Sequence, residues 1–341
     1  VADAFIGNPT IVPPGIDPFF KTAYYNQWSF GIQRELAASL VLDVSYLGSS
    51  GHKLPIGVNI NQAIPGPTGS VNSRRPYQGF GSITGGYVLS VGNSNYHGMT
   101  VRIERRFASG LSFLSSYSYS KSIDDGSGIS TGSDSSGVAQ NARNLRAERA
   151  LSDFDVRHRW VLSYVYDLPF GKGAKFASSN SVVNYLAGGW QLTGIMTLQG
   201  GRPFTVVTGT DQSATGGGAD RPNLIGNPYV DNPTPTRWFN PCTLLANGTT
   251  RNCASGDTPV WQQNAAGTFG SAGRNIMIGD GLSNFDLGIG RFFSITERHR
   301  LQFRAEVFNL ANHANFFFPN ASLASAAFGT ISRAANNGSG A

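Results

Sequence analysis

The densest group of side chains capable of chemistry lies near the middle of the chain, where Glu148, Asp153, Asp155 and His158 fall close together. Carboxylates beside an imidazole are the residue types of a divalent-metal site or of an acid–base pair. They serve equally as charge at the end of a strand, hydrogen-bonded to neighbouring strands. The second reading is preferred, because Asp153 and His158 have opposite parity in an extended chain and cannot share a face. A second group, Arg102, Glu104 and Arg106, alternates along one side of an extended segment. Together with Arg304 and Glu306 on another segment it makes a charged ladder on a wet face, and the two sets can pair with each other. Cys242 and Cys253 sit in a stretch rich in Pro, Asn, Gly and Thr, with no His nearby. Two ligands do not make a zinc site, so a disulfide stapling a long loop in an oxidising compartment is the better reading, with two free thiols as the alternative. There is no Gly-x-Ser-x-Gly elbow and no glycine-rich loop opening a helix, so no catalytic centre, cofactor or metal is expected and the chain reads as non-enzymatic.

The elements that must position these residues follow from composition. The chain has 341 residues, 43 Gly, 17 Pro, 5 Trp, 12 Tyr and 22 Phe, yet only 13% charged residues. Its polarity comes from Ser, Thr, Asn, Gln and Gly, which suits extended strands and long loops better than helices. The net charge of +6 is mostly Arg scattered along the chain, without the clustered basic face that nucleic-acid binding needs, and no nucleic-acid partner is expected. No run of apolar residues is long enough for a transmembrane helix. The opening Val1-Ala2-Asp3-Ala4-Phe5 has neither a basic region nor an apolar core, so an exported protein of this kind is expected to carry a further N-terminal segment.

Period-2 alternation is the dominant pattern. It predicts eight strands, at residues 27–35, 40–48, 96–107, 111–120, 157–168, 189–199, 284–293 and 299–309. Each has one apolar, aromatic-rich face and one polar face, and each is about the 9–11 residues that a tilted membrane-spanning strand requires. The connections decide the class. Within pairs they are short, at 36–39, 108–110, 169–188 and 294–298. Between pairs they are long, at 49–95, 121–156 and 200–283. Such large structureless loops are rare in soluble domains, whereas outer-membrane barrels alternate short periplasmic turns with long extracellular loops. Trp160 and Trp190 lie at strand ends, where interfacial girdles belong. Gly-rich stretches at 126–137, 216–218 and 337–340 read as loop tips. The expected fold is all-β, an antiparallel transmembrane β-barrel.

Several segments resemble a known family. They are Gln27-Trp28-Ser29-Phe30-Gly31, Asn95-Tyr96-His97-Gly98-Met99, Asp153-Phe154-Asp155-Val156-Arg157-His158-Arg159, Asp167-Leu168-Pro169-Phe170-Gly171-Lys172-Gly173 and Arg304-Ala305-Glu306-Val307-Phe308-Asn309. In order and spacing they resemble the C-terminal barrel of Oar-like, carboxypeptidase-regulatory-like TonB-dependent outer-membrane receptors of Gram-negative bacteria. The resemblance implies a barrel of about 22 strands, of which residues 1–341 supply a partial wall of about eight, with the plug and TonB box outside the chain. It implies active transport across the cell outer membrane. The implied partners are the lipid bilayer, lipopolysaccharide, the TonB complex through the missing N-terminal region, and an unidentified solute. Arg102, Glu104, Arg106, Arg304 and Glu306 would face the lumen. The strand pattern alone fits a passive porin or structural outer-membrane protein equally, and a secreted β-rich adhesin or glycan-binding module less well.

Overall fold

A computed structural model of the chain describes residues 15–81, 87–128, 139–171, 175–176, 180–218, 220–294 and 298–335. Its frame is one antiparallel sheet of eight long strands in chain order. These are β1 (Tyr24–Ala37), β2 (Leu40–Val58), β3 (Tyr87–Ala108), β4 (Leu111–Asp124), β5 (His158–Asp167), β6 (Trp190–Gln199), β7 (Leu282–Ser294) and β8 (Arg300–Val307). Every strand pairs with the one before it, so the wall is a meander of hairpins. The register carries the alternation across the sheet intact. Phe30 faces Tyr46, Val101 faces Tyr117, Tyr117 faces Trp160, Met196 faces Phe285 and Ile289 faces Ala305. One face is therefore aliphatic and aromatic from edge to edge. The other carries Gln33, Asp43, Arg102, Ser116 and Thr197 at matched positions. The sheet stays open: β1 and β8 each have one neighbour and are exposed along their whole length.

The turns at one end are tight. Ser109 and Gly110 both have positive φ, at 53° and 80°, the type I′ geometry whose twist matches that of a hairpin. The β1–β2 turn is residues 38–39, with Ser39 at φ 70° and a register shift beside it, so it is shorter than the four-residue link expected from sequence.

Several strands differ in extent from the pattern-based expectation. β2 and β3 run on to Val58 and back to Tyr87, consuming much of the expected 49–95 loop. Their upper halves contain Gly48, Gly51, Gly92 and Gly98 and a bulge at His52–Pro55, with Lys53 at φ 56°. Apolar alternation is lost there although hydrogen-bonded pairing continues. β4 likewise extends to Asp124, where Ala150–Leu151 pairs with it. The 169–188 link contains a helix, α1 (Ser181–Ala187), that the strand pattern did not reveal. Of the Gly-rich stretches, 216–218 is a bend in a loop. Most of 126–137 and all of 337–340 lie outside the described residues, as do positions 295–297 of the β7–β8 link.

The wall is one sheet thick, and among the described residues its only buried apolar side chains are Ile56 and Val58 at the extended end of β2. The buried core lies instead in the long β6–β7 connection and the segment after β8, where Phe204, Val206, Phe239, Val260, Trp261, Met277, Leu323 and Phe328 form one cluster. Phe239 and Phe328 meet edge to face with centroids 5.0 Å apart. Short strands reinforce it: Asn223–Leu224, Trp261–Gln262, Thr243–Leu244 and Thr250–Arg251 make a four-stranded sheet, and Pro203–Phe204 pairs with Met277–Ile278. The long connections thus make a packed body, contrary to the expectation of structureless loops. Its aromatic residues satisfy one another at long range rather than within any local repeat.

Candidate functional site

Two regions hold the chain's charged and recognition-competent side chains: the polar face of the wall and the loop body at its far end. On the wall, Arg102, Glu104 and Arg106 alternate on β3, and Arg304 and Glu306 on β8. Register carries the β3 set to Ser116 and Leu114 on β4, Val161 and Ser163 on β5, Thr197 and Ile195 on β6, then Asn284 and Asp286 on β7, the face to which Arg304 and Glu306 belong. All five line one cavity of about 600 Å³ that spans these strands, with Arg105 and Asp286 the other charged residues of its lining.

The ion pairs run within strands rather than between the two sets. Arg102 bonds Glu104 at 2.6 Å, and Arg304 bonds Glu306. Cross-pairing is ruled out by distance: β3 and β8 are five strand steps apart, about 24 Å along the sheet at roughly 4.8 Å per strand. Arg106 has no ion-pair partner among the described residues. With four arginines and three carboxylates the cavity carries one excess positive charge, which mildly favours anionic solutes.

The sequence cluster of Glu148, Asp153, Asp155 and His158 divides. His158 opens β5 on the apolar face, where the Tyr117 hydroxyl lies 2.8 Å from its Nδ1. The carboxylates turn instead into the loop body. Glu148 takes a two-pronged contact from the Arg221 guanidinium, at 2.6 and 3.0 Å, and also accepts from the Gln140 N–H. Arg274 pairs with Asp124 at the tip of β4 and with Asp153, and donates through Nε to the Glu148 carbonyl at 2.9 Å. Asp155 accepts from the Ser122 N–H, and Asp153 from Asn275 Nδ2. Each buried charge has a partner, as desolvated charges require. Among the described residues no three His, Cys, Asp or Glu side chains group as metal ligands would. The arrangement ties the β4–β5 connection to the β6–β7 connection.

A polar seam extends that tie. Gln62 Nε2 donates to the Gln140 carbonyl, Arg143 donates to the Gln62 carbonyl, and the Arg221 N–H donates to Gln140 Oε1. Asn61 holds the 59–81 segment by donating to the Gly81 carbonyl and accepting from the Tyr77 N–H. Cys242 and Cys253 are joined by a disulfide that closes the Thr243–Leu244/Thr250–Arg251 hairpin. Burial pushes the Asp220 carboxyl up to about 6, against bonds from the Ser213 N–H and hydroxyl that favour its charged form. The Arg237 guanidinium holds Asp257 below the usual carboxylate range. Outside this frame the loop body exposes Leu224, Ile225 and Tyr229, within the Asn/Pro-rich stretch 223–228 and next to it.

Sequence reasoning placed the five wall charges on one face but missed Arg221 and Arg274. Each is an isolated Arg in a loop, and no local spacing marks its partner 73 or 150 positions away.

Residues 2–339 match the family model of the outer membrane beta barrel domain. No curated protein matches. Among solved structures, the outer membrane transporter YddB from Escherichia coli is 11% identical, with a TM-score of 0.45, over 91% of this chain and 31% of that one. The FrpB iron transporter from Neisseria meningitidis (F3-3 variant) is also 11% identical, with a TM-score of 0.41, over 93% of this chain and 31% of its own. The chain thus spans about a third of the length of these solved structures.

Proposed function

Because the chain belongs to the outer membrane beta barrel domain family, its place is the cell outer membrane, and we propose that it is wall and loop cap of a TonB-dependent transporter of the Oar-like kind. In this reading residues 1–341 are the C-terminal part of a larger barrel, whose plug and TonB box lie in the same protein outside them. The apolar face meets lipid, with lipopolysaccharide on the outer side. Arg102, Glu104, Arg106, Arg304 and Glu306 face the lumen. The chain does no catalysis and holds no cofactor. Further strands complete the wall, since unpaired edges such as those of β1 and β8 are not tolerated in hydrocarbon.

The observation that supports active transport over passive diffusion is the loop body. Its connections are packed on a buried aromatic core and locked by the Glu148–Arg221 and Arg274–Asp124 pairs. A packed, preorganised surface lowers the ordering cost of binding a particular solute, which suits recognition.

The test uses the purified full-length protein in two assays. The first is binding to the soluble periplasmic domain of TonB by calorimetry. The second is KCl conductance in planar bilayers. TonB binding with no steady conductance is the expected result. Steady KCl conductance without TonB binding would show a passive porin instead.

A further inference from the structure

The link between β5 and β6 leaves the wall at the end of the tight turns and holds α1. Asn180 starts the helix by accepting from the Val182 and Val183 N–H groups, and Gly188 ends it. The neck of the link is narrow: a Cβ on Gly171 would sit 2.6 Å from the Gly188 Cα, so only glycines let the two strands of backbone pass.

The unusual feature is which way the helix faces. Val182, Val183, Tyr185 and Leu186 are 64%, 48%, 59% and 61% exposed, while Asn184 and Ala187 are the half-buried positions. A helix on a water-facing surface would bury the first set and expose Asn184. Nor does α1 hang free in solvent. The Tyr185 ring lies 6.5 Å from that of Phe293, and Trp190 Nε1 donates to the Leu186 carbonyl at 2.9 Å. Arg291, only 6% exposed, donates to the Tyr185 and Leu186 carbonyls and stacks on Phe293 with 4.3 Å to its centroid. Trp190, Arg291 and Phe293 belong to the apolar face of the wall, in line with Met196 and Phe285. The helix therefore stands on the lipid side of the sheet.

We propose that α1 is an interfacial anchor, lying in the headgroup region of the periplasmic leaflet with its apolar residues against the acyl chains. Three observations carry this occupant. The exposed apolar surface is continuous with the lipid face of the wall. Residues 169–188 contain Lys175 and no Asp or Glu, which suits anionic phospholipid headgroups. The last helical carbonyls, which lack intrahelical donors, are met by a guanidinium rather than left to water, as a low-water environment demands. The proposal rests on the outer-membrane barrel reading and adds to it a fixed membrane depth for one end of the wall.

The test uses the full-length protein reconstituted in phosphatidylethanolamine/phosphatidylglycerol vesicles. Cys242 and Cys253 are bonded to each other, so an introduced thiol is the only free one in residues 1–341, and the parent protein labelled in parallel gives the background to subtract. An environment-sensitive fluorophore is placed at Val183→Cys, and in a second variant at Phe30→Cys in mid-wall. At Val183→Cys, lipids with a nitroxide near the headgroup should quench about twofold more than lipids with one deep in the chain, and aqueous iodide should quench little. Quenching by iodide alone overturns the proposal, and protection from both quenchers overturns it in favour of a protein partner over α1. If Phe30→Cys is not quenched by the deep nitroxide, the barrel reading falls and the anchor with it. Quenching at Phe30→Cys with none at Val183→Cys removes only the anchor.

Discussion

Glu148 and Arg221 meet through both terminal guanidinium nitrogens and both carboxylate oxygens, at 2.6 and 3.0 Å, inside a body that joins two different connections of the wall. Neither side chain reaches solvent to any useful extent. Breaking such a pair from one side leaves a bare charge in a dry place, which costs more than the pair itself is worth. Arg221→Met should therefore destabilise the loop body by about 3–5 kcal/mol, and Glu148→Met by a similar amount. The double substitution should be milder than either single one. Urea unfolding followed by Trp261 fluorescence checks this. An additive double mutant would refute the coupling.

The disulfide should act on the same body and leave the wall alone. It closes a loop of sequence separation 11, so reducing it, or making the pair Cys242→Ala/Cys253→Ala, should lower loop-body stability by about 2–4 kcal/mol. Heat-modifiable migration on a gel, which reports the wall, should be unchanged. A wall that melts with the loops would contradict the separation of the two.

Asp220 should give the loop body an inverted pH response. Its folded pKa, pushed up by burial to about 6, exceeds the ordinary value of 3.8. Between those values folding takes up a proton, so this group's contribution to stability grows as pH falls through 6 and is complete below 3.8. Asp257, held down by Arg237, acts in the opposite sense, its contribution being lost in acid. Protease protection of the 200–281 segment, measured from pH 7 to pH 5, should rise in the parent and stay flat in Asp220→Asn. A parent curve that falls over this interval would count against the assignment.

On the wall, Trp28 and Gly48 face each other across β1 and β2, and the indole lies over the glycine: a Cβ there would be 2.3 Å from the ring. Gly48→Ala should force the ring away and cost about 1–3 kcal/mol of strand stability, the usual range for overpacking. Trp28→Ala in the same background should relieve most of that. Gel migration against temperature reads both.

The sequence revealed the wall far better than what stands on it. Strands such as Tyr96 to Phe107 and Leu111 to Ser120 announce themselves because a membrane wall has two unlike faces at every residue, which writes a period of two into the chain. The upper halves of β2 and β3 carry no such signature, since glycine and serine take over while the hydrogen bonds continue. α1 spans under two turns, too short for a helical period; its only signals are Asn180 before it and Gly188-Gly189 after it. The loop core could not be read at all. Phe204, Phe239, Trp261 and Phe328 are scattered singly through Pro- and Asn-rich sequence, and only the folded chain brings them together. The five wall charges were legible as a face but not as pairs, because strand order and separation are properties of the sheet.

The meander has a kinetic consequence. Each wall strand finds its partner in the segment before it, so the sheet can grow hairpin by hairpin at little cost in loop closure. The loop body cannot follow that schedule. Asp124 must wait for Arg274, 150 positions later, and Glu148 for Arg221, 73 positions later. Two acids therefore wait for arginines that follow the sixth strand, and the outward surface, whose core also takes Leu323 and Phe328 from beyond β8, is complete only when the segment after the eighth strand packs onto it.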